Sequence, residues 1–110
     1  MNFTLPEELQ AFLDELDAFI EAEIKPLEQV DDNIRFFDHR REHARTNWDE
    51  GGIPREEWEA LLAEARRRAD AAGVYRYPFP AEFGGRNGTN LGMAIIREHL
   101  AAKGLGLHND

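Results

Sequence analysis

The stretch YPFPAEFGGRNGTNLGMAIIREHLAAKGLGL, residues 77–107, joins a turn rich in proline and glycine to an apolar helical pattern. Pro78 and Pro80 fix their own φ angles and keep the preceding residues out of the α region, so the approach to the turn is extended. Asn87-Gly88 is a strong turn dipeptide. The stretch therefore predicts a rigid turn from which a helix begins.

The helix after this turn carries apolar side chains around much of its circumference. Thr89 or Asn90 can serve as its N-cap, and the apolar positions are Leu91, Ala94, Ile95, Ile96 and Leu100. Such a helix is expected to be buried on more than one side. A second set is left without an evident neighbour and is expected to form an exposed patch that makes the isolated chain self-associate: Met93, Leu100, Leu105 and Leu107.

A glycine-rich loop that opens a helix can also bind phosphate through its free backbone N–H groups. The sequence GGRNG at residues 84–88 matches neither GxGxxG nor GxxxxGK[ST], and no strand pattern precedes it. The spacing therefore favours a structural turn over a phosphate site.

Two segments resemble the N-terminal domain of acyl-CoA dehydrogenases. In that family a short proline-containing segment ending in Glu-aromatic-Gly-Gly leads into a helix, and residues 80–85 (PAEFGG) followed by residues 95–100 (IIREHL) show this order. The family's N-terminal domain also begins with a long amphipathic helix that closes in apolar residues and proline, as residues 18–28 (AFIEAEIKPLE) do here.

The resemblance implies a flavoprotein that carries out FAD-dependent α,β-dehydrogenation of an acyl-CoA thioester, in which a carboxylate takes the α-proton and FAD accepts the hydride. Family members are several times longer. Residues 1–110 would then form one helical N-terminal domain, truncated before the β-domain. The implied partners are the acyl-CoA substrate and the missing flavin-binding domains, and the full-length protein is expected to be a homo-oligomer.

The resemblance assigns no catalytic and no cofactor-binding residue within the chain, because the base and most flavin contacts lie in the later domains of the family. It places the wall of the acyl pocket near the last three residues, which are therefore the candidate substrate-pocket residues: His108, Asn109 and Asp110. The alternative from a different class is a stand-alone helical protein-interaction module without enzymatic activity, whose last helix docks a partner.

The charge balance excludes other classes of partner. Lys and Arg total 13 against 22 Asp and Glu, which gives a formal net charge of −9, so binding to nucleic acid or to an anionic membrane surface is disfavoured.

The chain has no cysteine for a disulfide or a thiolate metal site. With neither a signal-peptide pattern nor an apolar run near 20 residues, it is expected to be cytoplasmic.

The strongest amphipathic pattern lies near the start of the chain. Thr4 and Glu7 have capping-box spacing, Pro6 fits the first turn, and apolar residues then recur at helical spacing: Leu9, Phe12, Leu13, Leu16, Phe19, Ile20 and Ile24. Pro26 is expected to kink or end this helix near Ile24.

Two further helices complete the predicted fold. A short one is expected from about Asp32 to Arg45, followed by a loop. Another should open with Pro54 at its first position, bury a stripe from Trp58 to Ala72, and stop before Gly73. Its Arg66–Arg68 run could grip an anion, although a solvated last turn is favoured. The four helical segments predict an all-α helical bundle of about four helices.

The only metal-like motif is HxxEH at residues 39–43, in which two histidines four apart can bind zinc and the glutamate can act as a general base. A third ligand and a deep cleft are not evident, so no metal site is predicted. Glu42, Glu82 and Glu98 have no paired carboxylate at useful spacing and are not assigned a catalytic role.

Overall fold

The structure, a computed structural model, describes residues 5–38, 41 and 43–109. Its main elements in chain order are α1 (Glu7–Phe19), a π-helical turn (Ile20–Ile24), α2 (Lys25–Gln29), a 3₁₀ segment (Val30–Phe37), β1 (Thr46–Asn47), β2 (Ile53–Pro54), α3 (Glu56–Ala71) and α4 (Asn90–Ala101). The predicted helical character is confirmed. The bundle of about four helices is wrong, because the described residues form three long helices and a small two-stranded ribbon that lies between α2 and α3 in the chain.

Helix α1 buries the stripe that its sequence predicts. Leu9, Phe12, Leu13 and Leu16 are buried, and Ile20 and Ile24 continue the stripe beyond the helix. The start differs from the prediction, since the helix begins at Glu7 and Pro6 takes the N-cap position without a side-chain cap. Thr4, the other half of the expected capping box, lies outside the described residues.

The helix does not stop at Pro26, although the turn before it changes type. Proline has no N–H to donate to the carbonyl four residues back, and the preceding turn widens so that the N–H of Lys25 bonds to the carbonyl of Ile20, five residues back. A single π-helical turn absorbs such a defect without breaking the helix. The chain therefore stays helical to Gln29.

The helix expected from about Asp32 to Arg45 is wrong. Asp31 and Asp32 adopt left-handed φ angles of 49° and 57°, a conformation that aspartate tolerates but that no α-helix contains. After the 3₁₀ segment, β1 and β2 pair antiparallel, with Thr46 opposite Pro54. Gly51 and Gly52, with φ of 86° and 81°, form the turn between the strands.

The ribbon and α3 meet around a cation–aromatic stack. The guanidinium of Arg45 lies 4.3 Å over the Trp58 ring and 5.1 Å from the Phe37 ring, and its Nε donates a 2.6 Å hydrogen bond to the carbonyl of Phe36. A guanidinium that stacks on an aromatic ring is attracted to the face of the ring and stabilises its position. They hold Trp58, 8% exposed, at the start of the α3 stripe.

The predicted core stripe of α3 is confirmed except at Ala72, and the predicted start of the helix is wrong. Leu61 and Ala65 are buried, whereas Ala72 is exposed. Pro54 does not occupy the first helical position, because it pairs in β2 and the helix begins two residues later at Glu56. Gly73 follows the helix with φ of 79°, as expected for a C-terminal glycine.

The turn before α4 is built as its sequence predicts. The side chain of Thr89 accepts a 2.9 Å hydrogen bond from the N–H of Gly92 and is the N-cap of α4. Asn87 takes a left-handed φ of 55°. Gly85 is needed for close approach, since a Cβ there would lie 2.0 Å from the carbonyl oxygen of Phe79.

The expected burial of α4 on more than one side is wrong. Among its large apolar residues only Ile96 is buried, Ile95 and Leu100 are partly buried, and Leu91 is 69% exposed. The helix meets α1 along one edge, where Asp17 accepts hydrogen bonds from His99 at 2.8 Å and Lys103 at 3.0 Å. Within the described residues, no helix is long and apolar enough to cross a membrane.

Candidate functional site

An apolar groove of about 260 Å³ lies between α1, α3 and α4. This volume is near the lower end of small-molecule sites. Most of its lining is aliphatic or aromatic and comes from all three helices and from the turn: Phe12, Leu16, Phe19, Ile20, Ile24, Ala65, Ala69, Val74, Tyr75, Tyr77, Pro78, Met93, Ile96, Leu100 and Leu107. The remaining lining residues are Arg66, Arg97, His108 and Asn109.

The small residues of α3 leave room for this groove. Ala65 and Ala69 face α1 and α4 at a spacing of one helical turn, and both line the groove. Small residues at this spacing commonly allow two helices to pack closely. The structure instead keeps an open space beside Ala69, which is only partly buried.

Residues 106–109 form another part of the wall. Leu107 is only 1% exposed, and its backbone N–H donates a 2.6 Å hydrogen bond to Oε1 of the buried Glu28. The expectation that Leu107 belongs to an exposed apolar patch is therefore wrong. Of the other residues predicted for this patch, Leu105 is 78% exposed, whereas Met93 and Leu100 are partly buried.

The tail reaches this position because Gly106 has no side chain. A Cβ at Gly106 would lie 2.7 Å from Nδ1 of His108 and 2.9 Å from Oε1 of Glu28, both too close for real atoms. Nε2 of His108 donates to the carbonyl of Leu100 at 3.1 Å. The carbonyl can only accept, so this contact leaves Nδ1 without a proton in the neutral ring.

Of the three residues predicted for the substrate pocket, His108 and Asn109 line the groove, and Asp110 lies outside the described residues. Glu82 and Glu98 are exposed and do not line it, and Glu42 is outside the described part. Among the residues that the structure describes, the groove lining contains no carboxylate. The described lining therefore offers walls for an apolar ligand but no carboxylate base.

The HxxEH motif is described only in part, since His39 and Glu42 lie outside the described residues and His43 is exposed. In residues 5–38, 41 and 43–109, no three His, Asp or Glu side chains are grouped to hold a metal ion.

The groove does not fit FAD. The cofactor is larger than a drug-sized ligand, which already needs at least about 300 Å³, and the polar edge of its ring system needs several hydrogen-bond partners. The groove supplies four polar or charged side chains besides its tyrosines, and the ring Nε2 of His108 is already bonded within the chain.

Two carboxylates of α1 that lie outside the groove, Glu15 and Asp17, bond this helix to the elements around it. Arg86 donates two 2.7 Å hydrogen bonds to Glu15, and this bonding, together with the positive charge, holds the pKa of Glu15 below its ordinary value despite some burial. Burial alone would raise the pKa of Asp17, but its bonds to His99 and Lys103 outweigh burial and lower it. Both pairs belong to the scaffold.

Sequence reasoning did not place Arg66 and Arg97 in the site. Each has an apolar neighbour one turn before and one turn after it: Leu62 and Ala69 for Arg66, and Met93 and Leu100 for Arg97. Three of these four line the groove, and Leu62 does not. Residues at these spacings share a helix face. An arginine at the edge of an apolar stripe was therefore a signal available in the sequence.

A scan against protein-family models, a search of curated proteins and a search of solved structures each found no match to this chain.

Proposed function

We propose that this chain is the N-terminal helical part of an acyl-CoA dehydrogenase-like flavoprotein, and that its groove is part of the wall that holds the acyl chain of an acyl-CoA thioester. The proposal combines the PAEFGG and IIREHL resemblance with an apolar groove in the described structure. The supporting observation is the described lining itself, which is mostly apolar and contains no carboxylate.

That lining suits a binding role and not a chemical one. An acyl chain gains about 0.8 kcal/mol for each methylene transferred from water to an apolar surface, so the groove can contribute affinity and orientation. Removal of the α-proton needs a positioned base, which the proposal assigns to another part of the flavoprotein together with FAD. His108 and Asn109 would contact the ligand where it leaves the apolar wall.

Calorimetric titration of the chain with dodecanoyl-CoA, with free CoA as the ligand that lacks the acyl chain, tests this proposal. We expect dodecanoyl-CoA to bind and CoA not to bind. Ala69→Phe should fill the groove and weaken binding at least about 10-fold. Ala63→Phe adds the same side chain to an exposed position of α3 and is the matched control.

If Ala69→Phe fails to give a native circular dichroism spectrum, Met93→Trp fills the same groove from α4. Equal binding of CoA and dodecanoyl-CoA, or equal effects of Ala69→Phe and Ala63→Phe, would show that the groove is not an acyl site.

A protein-interaction module is the second candidate, and exposed apolar side chains favour it. Phe79, Phe83, Leu91 and Leu105 are each more than half exposed, and such residues often mark a surface that another protein covers. In the flavoprotein proposal the same residues would meet further domains. A reading frame that continues past codon 110 into flavin-binding segments would support the enzyme, and a stop codon would support the module.

A further inference from the structure

Nearly every arginine in the described part of the chain is bonded to a carboxylate or a backbone carbonyl. The acceptors are carboxylates for Arg41, Arg67, Arg68, Arg76 and Arg86 and carbonyl oxygens for Arg35, Arg45 and Arg55. Arg66 and Arg97 are the exceptions, because neither makes a hydrogen bond or ion pair to any described residue. A guanidinium carries five N–H donors, so these two keep their full capacity for a ligand.

Both exceptions line the same groove. Arg66 comes from α3 and Arg97 from α4, on two of the helices that form its walls. In two other hollows of the described residues, the lining arginines are all bonded: Arg86 to Glu15, Arg41 to Asp32 and Arg45 to Phe36. Another hollow beside the groove shares Arg66 with it.

The arrangement contrasts with the charge of the chain. Acidic residues outnumber basic ones by nine, yet the described lining of the groove includes two arginines and no carboxylate. Its apolar walls also exclude water from one side, which strengthens an electrostatic contact at the rim.

We propose that Arg66 and Arg97 bind the anionic end of a single-chain amphiphile whose apolar chain lies in the groove. The inference rests on one part of the proposed function, that the groove binds an acyl chain. It adds a preference among chain ends that a neutral thioester does not test, since it concerns free acids and phosphates. Guanidinium groups bind carboxylate and phosphate oxygens with paired hydrogen bonds. The groove should thus prefer a chain that ends in an anion over one of equal length that ends in a neutral group.

The test uses decanoate, decyl phosphate and 1-decanol as probes of one chain length. Binding is followed by shifts of backbone amide signals in ¹⁵N spectra, which give both the affinity and the location. We expect both anions to bind more tightly than decanol and to shift the amides of Ala69 and Met93. The preference should shrink as salt is added, because ions screen contacts at the rim.

Arg66→Gln and Arg97→Gln should each weaken decanoate binding about 2- to 5-fold and leave decanol binding unchanged. Arg67→Gln is the matched control: it removes the same charge from the same helix, but Arg67 does not line the groove and is bonded to Glu64. It should leave both affinities unchanged.

The outcomes separate the two proposals. If decanoate and decanol bind the groove equally, the head-group inference fails while the acyl groove stands. If Arg67→Gln weakens decanoate binding as much as Arg66→Gln does, only net charge matters and the inference also fails. If no probe shifts the amides of Ala69 and Met93, the proposal that the groove binds acyl chains is wrong, and so is the head-group inference.

Discussion

Arg86 and Glu15 face each other across 71 residues of sequence and form two parallel hydrogen bonds of 2.7 Å each. The same guanidinium donates through Nε to the carbonyl of Gly73 at 3.0 Å and lies 5.0 Å from the Phe12 ring. One side chain in the turn before α4 therefore contacts the polar edge of α1, its apolar face and the end of α3.

This ion pair should make stability depend on pH. The pKa of Glu15 is lowered in the folded chain, mainly by its hydrogen bonds to Arg86, so the contribution is fully present above the ordinary value of 4.5 and is lost as pH falls through the lowered pKa. Glu15→Gln should cost about 0.5–1 kcal/mol at pH 7, a value limited by solvent exposure, and the cost should shrink as pH falls below 4.5.

Urea denaturation of both chains across pH 2–7 measures this difference. Asp14→Asn, on the same helix and bonded only to the neutral Gln10, is the control. A cost for Glu15→Gln that stays constant with pH would contradict the assignment.

Leu107 should be far more sensitive to truncation than its near neighbour Leu105. Leu107→Ala removes a side chain that is 1% exposed and should lower the free energy of unfolding by about 2–4 kcal/mol. Leu105→Ala changes a side chain that is 78% exposed and should have an effect within about 0.5 kcal/mol. Denaturant midpoints of the two variants give the comparison, and equal losses would mean that residues 106–109 do not pack as described.

Gly85 should not tolerate any side chain. In Gly85→Ala the new Cβ would meet the backbone of Phe79 at 2.0 Å, and since backbone cannot rotate aside, we expect a loss of about 2 kcal/mol or more. Gly104→Ala is the comparison, because nothing lies within 4 Å of its Cβ and only its φ of 88° is unfavourable, at a cost of about 1 kcal/mol. A smaller loss at Gly85 than at Gly104, measured by thermal unfolding, would show that the turn can relax.

The 110-residue chain should neither bind FAD nor oxidise an acyl-CoA. In the described residues the groove has no carboxylate to take an α-proton, and its lining does not fit the cofactor. After mixing with FAD and dodecanoyl-CoA, gel filtration should recover no flavin with the protein, and an artificial electron acceptor should stay oxidised. An active acyl-CoA dehydrogenase run in parallel is the positive control. Yellow protein or reduced acceptor would refute this prediction.

The parts of the fold that sequence predicted are those whose signal is local. The α1 stripe repeats at helical spacing over four turns, and Thr89 and Gly73 mark helix ends through their own backbone chemistry. The ribbon was not predicted, because strands of two residues are too short to show an alternating pattern.

The groove depends on contacts that no local pattern contains. Glu28 and Leu107 are 79 residues apart, and neither has a neighbour in sequence that points to the other. The apolar content of α4 predicted burial on several sides, but only one edge of the helix meets α1, so Leu91 stays exposed. Arg66 and Arg97 could have been noticed at the edges of their stripes, although nothing in the sequence shows that the two stripes meet.

The burial of Leu107 has a consequence for how the chain is made. A ribosome adds about 5–20 residues per second, so Leu107 follows Glu28 into the nascent chain by about 4–16 s. During that interval α1 and α3 can form, but the carboxylate of Glu28 lacks its backbone partner and the core lacks its last member. The nascent chain therefore exposes apolar surface during this interval, and chaperones bind surface of this kind.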